Sequence, residues 1–149
     1  GVDRPECEKL CESLNLKDTI TFLGVQPHNL IPDYLNAADA LCLPSLREGC
    51  PNIVLEALSC GTPVLASNVG AVPQIITKPE YGCIVPSESS DELAKKIGHV
   101  LDIKQNNEIN FEWFDWNENA QLIMEQFNSL LSESNTETMA SNKEHKTNP

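Results

Sequence analysis

Positive charge is what this chain has least of. Ten lysines and arginines stand against twenty-two aspartates and glutamates, for a formal net charge of -12. Nucleic acid and anionic membrane surfaces are bound through clustered basic residues, so neither is expected as a partner of this chain. An anionic ligand would have to be drawn in by a local feature against the overall field. Aromatic residues are sparse, at 5%. No run is long and apolar enough to span a bilayer, and the most apolar region is interrupted by Pro51, Gly61 and Pro63. No basic segment leads into an apolar one at the start, so no signal peptide is visible. The chain opens on Gly1 rather than Met, which reads as a piece of something longer. Six cysteines are present without a Cys-x-x-Cys pair, which points to reduced, mostly buried thiols rather than a disulfide framework. Cys7 and Cys11 have no third and fourth ligand nearby, so they read as helix packing, and no metal is expected. From Ser132 to Pro149 there is no Leu, Ile, Val or aromatic residue, so 132–149 is expected to be a disordered polar tail.

What is present is enough for one domain with a core: 149 residues, 40% of them hydrophobic. Pro5 to Leu16 reads as a helix with Leu10, Cys11 and Leu14 inward and Glu6, Glu8 and Glu12 outward. Thr19 to Leu23 reads as a strand ended by Gly24, and Leu30 to Asn36 as a short helix. A second strand runs from Ala40 to Leu43. Pro51 suits the first turn of a helix reaching Cys60, with Gly61 as its C′ residue and Pro63 opening the strand Val64 to Ala66. Gly82 to Val85 is a fourth strand. Ser90 to Ile103 is amphipathic, with Leu93, Ile97, Val100 and Leu101 on one face. A last helix, about Asn117 to Leu131, aligns Ala120, Ile123, Met124, Phe127, Leu130 and Leu131. Phe111, Trp113, Phe114 and Trp116 just before it read as its anchor. Strands alternating with helices argue an α/β fold with a mainly parallel sheet, in which ligands bind at the carboxyl ends of strands.

One carboxylate, Glu56, is the single charge between Gly49 and Thr77. In so apolar a stretch it is costly unless the fold or a ligand satisfies it. Glu48 precedes it by eight positions, ahead of the turn Gly49-Cys50-Pro51-Asn52. That turn ends at a helix N-terminus, where free N–H groups and the helix dipole attract phosphate. Gly49 lets backbone approach closely. A carboxylate accepts two hydrogen bonds and suits vicinal hydroxyls, so the site describes a nucleotide or a sugar. The plainer alternative is a helix-opening turn with Glu56 tied to a buried backbone group.

Phe22-Leu23-Gly24, Ala38-Asp39, Leu43-Pro44-Ser45, Glu48-Gly49-x-Pro51, Glu56-Ala57, Gly61-Thr62-Pro63-Val64 and Gly70-x-x-Pro73 follow in order. Together they resemble the C-terminal domain of retaining GT-B glycosyltransferases, the glycogen-synthase-like and mannosyltransferase-like superfamily, over roughly residues 1 to 131. The resemblance implies a partial Rossmann-like, donor-binding domain that holds a nucleotide-diphosphate-sugar and transfers the sugar with retention, with no cofactor and no bound metal. It implies that Glu48 contacts the donor sugar near its reacting centre and is catalytic through positioning and electrostatic support. Glu56 would bind the ribose hydroxyls. Backbone amides from Gly49, Cys50, Pro51 and Asn52 would meet sugar and diphosphate, and the loop near Gln26 would lie against the base.

The sequence also departs from that pattern. The family's Gly-Gly-x-Pro-Glu is Gly70-Ala71-Val72-Pro73-Gln74. Its opening strand, Gly-Arg-Leu segment, Lys and second strand have no counterpart, since Gly1 aligns after them. In the order 3-2-1-4-5-6 the two strands without counterpart are central. The carbohydrate or glycoconjugate acceptor would be bound by an N-terminal domain that this chain does not carry. The isolated chain is therefore expected to be inactive and to expose strand edges. A degenerate module that binds a nucleotide or a partner is the alternative, and a nucleotide-sugar epimerase fits the motifs less well. A cytoplasmic location, or attachment at the inner membrane face, follows from the cysteines, the absent signal and the supply of nucleotide sugars.

Overall fold

Three short strands, all parallel, carry the fold. The structure is a computed structural model that describes residues 3–106, 108–113 and 117–129. β1 (Leu41–Leu43), β2 (Val64–Ser67) and β3 (Gly82–Val85) lie in the order β1-β2-β3. Leu41 sits opposite Val64, and Val64 opposite Gly82. Every residue of the central strand β2 is buried, whereas β1 and β3 are partly covered. A continuous apolar strand covered on both faces is what a parallel sheet requires.

The helices are α1 (Arg4–Ser13), α2 (Ile31–Ala37), α3 (Asn52–Ser59), a single turn α4 (Val72–Ile75) and α5 (Ser90–Asn106). α5 packs on β2 and β3, and α2 packs on α3. Leu65, Val85 and Val100 form a core cluster with Ala40, Cys83 and Leu93 against it. On α3 the buried residues Val54, Ala57 and Leu58 fall at helical spacing. Gly61 closes that helix as expected. At φ +68 it takes the left-handed C′ position, and the Gly61 and Thr62 N–H groups donate to Leu58 and Ala57 carbonyls at 3.0 and 2.8 Å.

Several sequence expectations need correction. Thr19 to Leu23 is not a strand. Among the described residues no strand lies beside it to share a ladder, and its carbonyls go elsewhere: Phe22 O accepts from Arg4 and Leu23 O from Gln26. α1 stops at Ser13 rather than Leu16, because Asn15 turns to φ +56 and the Leu16 N–H caps the Cys11 carbonyl at 2.9 Å. Its inward face is narrower than expected: Cys11 is buried but Leu10 and Leu14 are exposed. Pro51 is the N-cap of α3, one position before its first turn. On α5 the buried face is Val100 and Ile103, with Ile97 and Leu101 exposed. All six cysteines are free, yet only Cys11 is fully buried, while Cys7, Cys42 and Cys50 are exposed.

The described residues divide into two compact units with the break between Ile109 and Asn110. In the second unit a helix runs over 117–129. Its Ile123, Met124 and Phe127 are exposed, and Phe111 stacks on Trp113 with ring centroids 6.0 Å apart. Phe114, Trp116, Leu130, Leu131 and the tail 132–149 lie outside the described residues. Among the described residues no helix is long and apolar enough to cross a membrane.

Candidate functional site

Because the strands are parallel, the segments after β1, β2 and β3 all leave from the same edge of the sheet. The segment after β1 carries Glu48 and opens α3; the segment after β2 carries Gly70 and opens α4. These two loops are pinned together. The Ala71 N–H donates to the Gly49 carbonyl at 2.8 Å. Gly70, at φ +52, lies so close to the Glu48 and Gly49 backbone that a side chain there would collide with both carbonyl oxygens. Gly70 and Ala71 thus fix where Glu48 and Gly49 stand. This brace was not recognised from sequence beyond the motif Gly70-x-x-Pro73, although a glycine just after a strand is the signal of such a close approach.

The turn delivers its atoms to the start of α3. Pro51 is buried and contributes no N–H, and no side chain caps the helix. The Val54 N–H is satisfied by the Pro51 carbonyl at 3.0 Å. The N–H groups of Asn52 and Ile53 precede it with no protein acceptor among the described residues, the usual state of a first helical turn. Asn52 and Glu56, four residues apart, share the side of α3 opposite Val54, Ala57 and Leu58. Asn52 and Cys50 are exposed, and Glu48 and Glu56 are half-buried. Among the described residues neither glutamate side chain has a hydrogen bond or an ion pair. The apolar run around Glu56 therefore does not bury its charge. It forms the inner face of α3, while the carboxylate stays on the outer one.

Gln26 occupies a different loop. Its side-chain N–H donates to the Leu23 carbonyl at 2.7 Å, and its oxygen accepts from the Tyr34 hydroxyl at 3.1 Å. Tyr34 belongs to α2, which packs on α3, so the Gln26 loop is tied to the same helix pair. No hydrogen bond among the described residues joins Gln26 to the Glu48 turn. The structure thus brings Glu48, Gly49, Cys50, Pro51, Asn52 and Glu56 together along one loop and helix and leaves Gln26 on a neighbouring one. Arg47 is the only basic residue between Pro44 and Thr77. Among the described residues no group of His, Cys, Asp or Glu is placed to hold a metal ion.

Below the site, Thr62 locks the helices to the sheet. It is fully buried, and its hydroxyl donates to the Leu35 carbonyl at 2.6 Å. Lys104 from α5 donates to the Gly61 carbonyl at 2.9 Å and reaches the Thr62 hydroxyl oxygen at 3.4 Å. One residue between α3 and β2 thereby joins α2, α3 and α5.

Residues 1–112 match the family described as glycosyl transferases group 1. The chain belongs to that family. It is 33% identical over 102 residues to a D-inositol 3-phosphate glycosyltransferase of Mycobacteroides abscessus, an alignment covering 68% of this chain and 23% of that protein. It is 30% identical over 102 residues to an alpha-D-kanosaminyltransferase of Streptomyces kanamyceticus, covering 68% and 26%. Among solved structures it is similar to a sucrose-phosphate synthase from Thermosynechococcus elongatus, with a TM-score of 0.67 at 27% identity over 89% of this chain and 35% of that one. The three-stranded parallel sheet flanked by helices is thus part of a GT-B, Rossmann-like domain. This group 1 chain spans about a quarter of the length of these curated relatives.

Proposed function

We infer that this chain is the donor-binding portion of a glycosyltransferase that moves a sugar from a nucleotide-diphosphate-sugar to an acceptor with retention at the anomeric carbon. The observation that carries this reading is the braced turn: two unpartnered carboxylates, Glu48 and Glu56, flank an uncapped helix N-terminus at the carboxyl edge of a parallel sheet. Family membership supplies the class of reaction.

In this reading the Gly49 to Asn52 segment meets the diphosphate and sugar with backbone N–H groups and the positive end of α3. The residues from Gly49 to Thr77 carry no cation and Arg47 is the one just before them, so backbone dipoles share the anion binding with Arg47. Glu56 receives the ribose diol. Glu48 stands where positive charge develops on the sugar as the bond to diphosphate breaks, and its carboxylate stabilises and orients that centre. The Gln26 loop lies against the base. The reading invokes no metal. The acceptor is held by a domain outside this chain, so the chain alone transfers nothing.

Calorimetric titration tests this. UDP, GDP and ADP, each with its sugar conjugate, are added to this chain and to a form extended upstream by the two strands that the resemblance calls for. Saturable binding of one nucleotide, stronger in the extended form and lost on Glu56→Ala, is the expected result. If both forms are folded and neither binds any nucleotide, the donor-site reading fails, and a degenerate module of the same fold takes its place. Measurable sugar transfer by the isolated chain would contradict its proposed inactivity.

A further inference from the structure

The carboxyl ends of the three strands also open onto a cavity of about 320 Å³ that contains none of the residues of the Glu48 turn, nor Glu56 or Gln26. It is lined by Pro44 after β1, Ser67 at the end of β2, Val85 and Pro86 at the end of β3, Glu88 and Ser89 between β3 and α5, and Ser90 and Leu93 on α5. The volume is at the small end of ligand pockets, and the mostly apolar wall with few polar groups is typical of one.

Ser67 is the informative residue. It is 2% exposed, and its hydroxyl makes no hydrogen bond among the described residues. Among those residues no side-chain oxygen is both sealed from solvent and unpartnered. The Ser67 hydroxyl therefore reaches open space, and the space that Ser67 lines is this cavity. A hydroxyl held at the end of a fully buried strand, with no protein partner, is a group that a ligand can satisfy.

The charges nearby restrict that ligand. Glu88 lines the cavity, Asp91 and Glu92 occupy the first turn of α5, and Lys95 is paired with Glu92 at 2.7 Å. The Ser89 hydroxyl and carbonyl already accept from the Glu92 and Leu93 N–H groups, at 3.4 and 3.1 Å. The carboxylates around this helix start thus set a potential that repels an anion. The proline rings, Val85 and Leu93 offer apolar faces, while Ser67, Glu88 and Ser90 offer partners for hydroxyls. We propose that this cavity is a second site, binding a small neutral polyhydroxylated molecule of monosaccharide size, with the Ser67 hydroxyl as its buried anchor. It does not depend on the nucleotide-sugar reading of the Glu48 turn.

The test is a titration of the isotope-labelled full chain with D-glucose, D-mannose and myo-inositol, followed through backbone amide shifts. The expected result is saturable shifts centred on Ser67, Val85 to Ser90 and Leu93 with at least one of the three. Ser67→Ala should weaken binding about fivefold, the worth of one neutral hydrogen bond. Ser67→Val, which keeps strand preference while removing the hydroxyl and filling space, should abolish it. Glu56→Ala should leave the titration unchanged, which separates this site from the donor site. Absence of saturable shifts at these residues with all three polyols would overturn the proposal. So would affinity unchanged in Ser67→Val, or shifts centred on Glu48 to Asn52.

Discussion

Gly70 shows how much of the site rests on one missing side chain. Its φ of +52 is in the region that costs an ordinary residue about 1–2 kcal/mol. A β-carbon there would also press into the Glu48 and Gly49 carbonyls. Gly70→Ala should lower stability by about 1–3 kcal/mol in a urea melt, move the amide resonances of residues 48–50, and weaken nucleotide binding. A stable variant with unshifted resonances there would show that the brace is not needed. The thiols make a second prediction at this scale. Cys7 and Cys50 are exposed and Cys11 is buried. Burial pushes the Cys42 thiol up, although the residue as a whole is exposed. The thiolate is the reactive form, so iodoacetamide at neutral pH should modify Cys7 and Cys50 first, Cys42 later, and Cys11 only on unfolding. Peptide mass spectrometry against time reads the order; Cys11 reacting as fast as Cys7 would contradict it.

At the scale of elements, local signals and remote ones separate cleanly. The α3 helix was legible because its determinants are local: Pro51 before it and Gly61 after it. β2 and β3 were legible as short apolar runs bounded by Gly and Pro. Thr19 to Leu23 was misread because a strand exists only with a neighbour, and composition cannot say whether one is beside it. The roles of Thr62, Ser67 and Ala71 were hidden for the same reason. Each depends on partners or space supplied by distant segments, as Thr62 on Leu35 and Lys104. The Glu48 and Glu56 spacing was visible, but the loop that braces it was not. Thr62 provides the test at this scale. Thr62→Val keeps the volume but removes one of the two donors to the Leu35 carbonyl, which retains the Ala38 N–H at 3.2 Å, and should cost about 0.5–1.5 kcal/mol. Lys104→Met removes the charged cap on Gly61 and should cost about 1 kcal/mol. The two share an oxygen, so the double variant should fall short of the sum. Full additivity in chemical denaturation would mean that the 3.4 Å contact between them carries no coupling.

At the scale of the whole molecule the governing feature is the open edges of the sheet. Among the described residues β1 and β3 each pair only with β2, so the outer edge of each presents unpaired backbone groups. Ile20, Leu23 and Val25 are also exposed, Val25 at 98%. An exposed parallel edge and exposed apolar side chains each promote self-association, and the net charge of -12 opposes it. Which wins depends on screening: the charge repulsion fades as salt shortens the Debye length to about 3 Å at 1 M, whereas edge pairing and apolar contact do not. The chain should therefore be most nearly monomeric at low salt and near neutral pH. It should self-associate as salt rises, and also as pH falls toward the sequence pI of about 4.5. Light scattering behind a sizing column measures this directly. The outer edge of β1 gives the family reading its sharpest physical consequence. If two upstream strands belong between Thr19 to Leu23 and β1, then supplying them should turn Thr19 to Leu23 into a strand. The extended form should gain β-signal beyond its added residues, protect the amides of Leu41 to Leu43 from exchange, and show weaker salt-driven association, since the outer edge of β3 still stays open. Protection of those amides in the present chain, equal to that of β2, would mean that the edge is already covered and that the assembly needs nothing more.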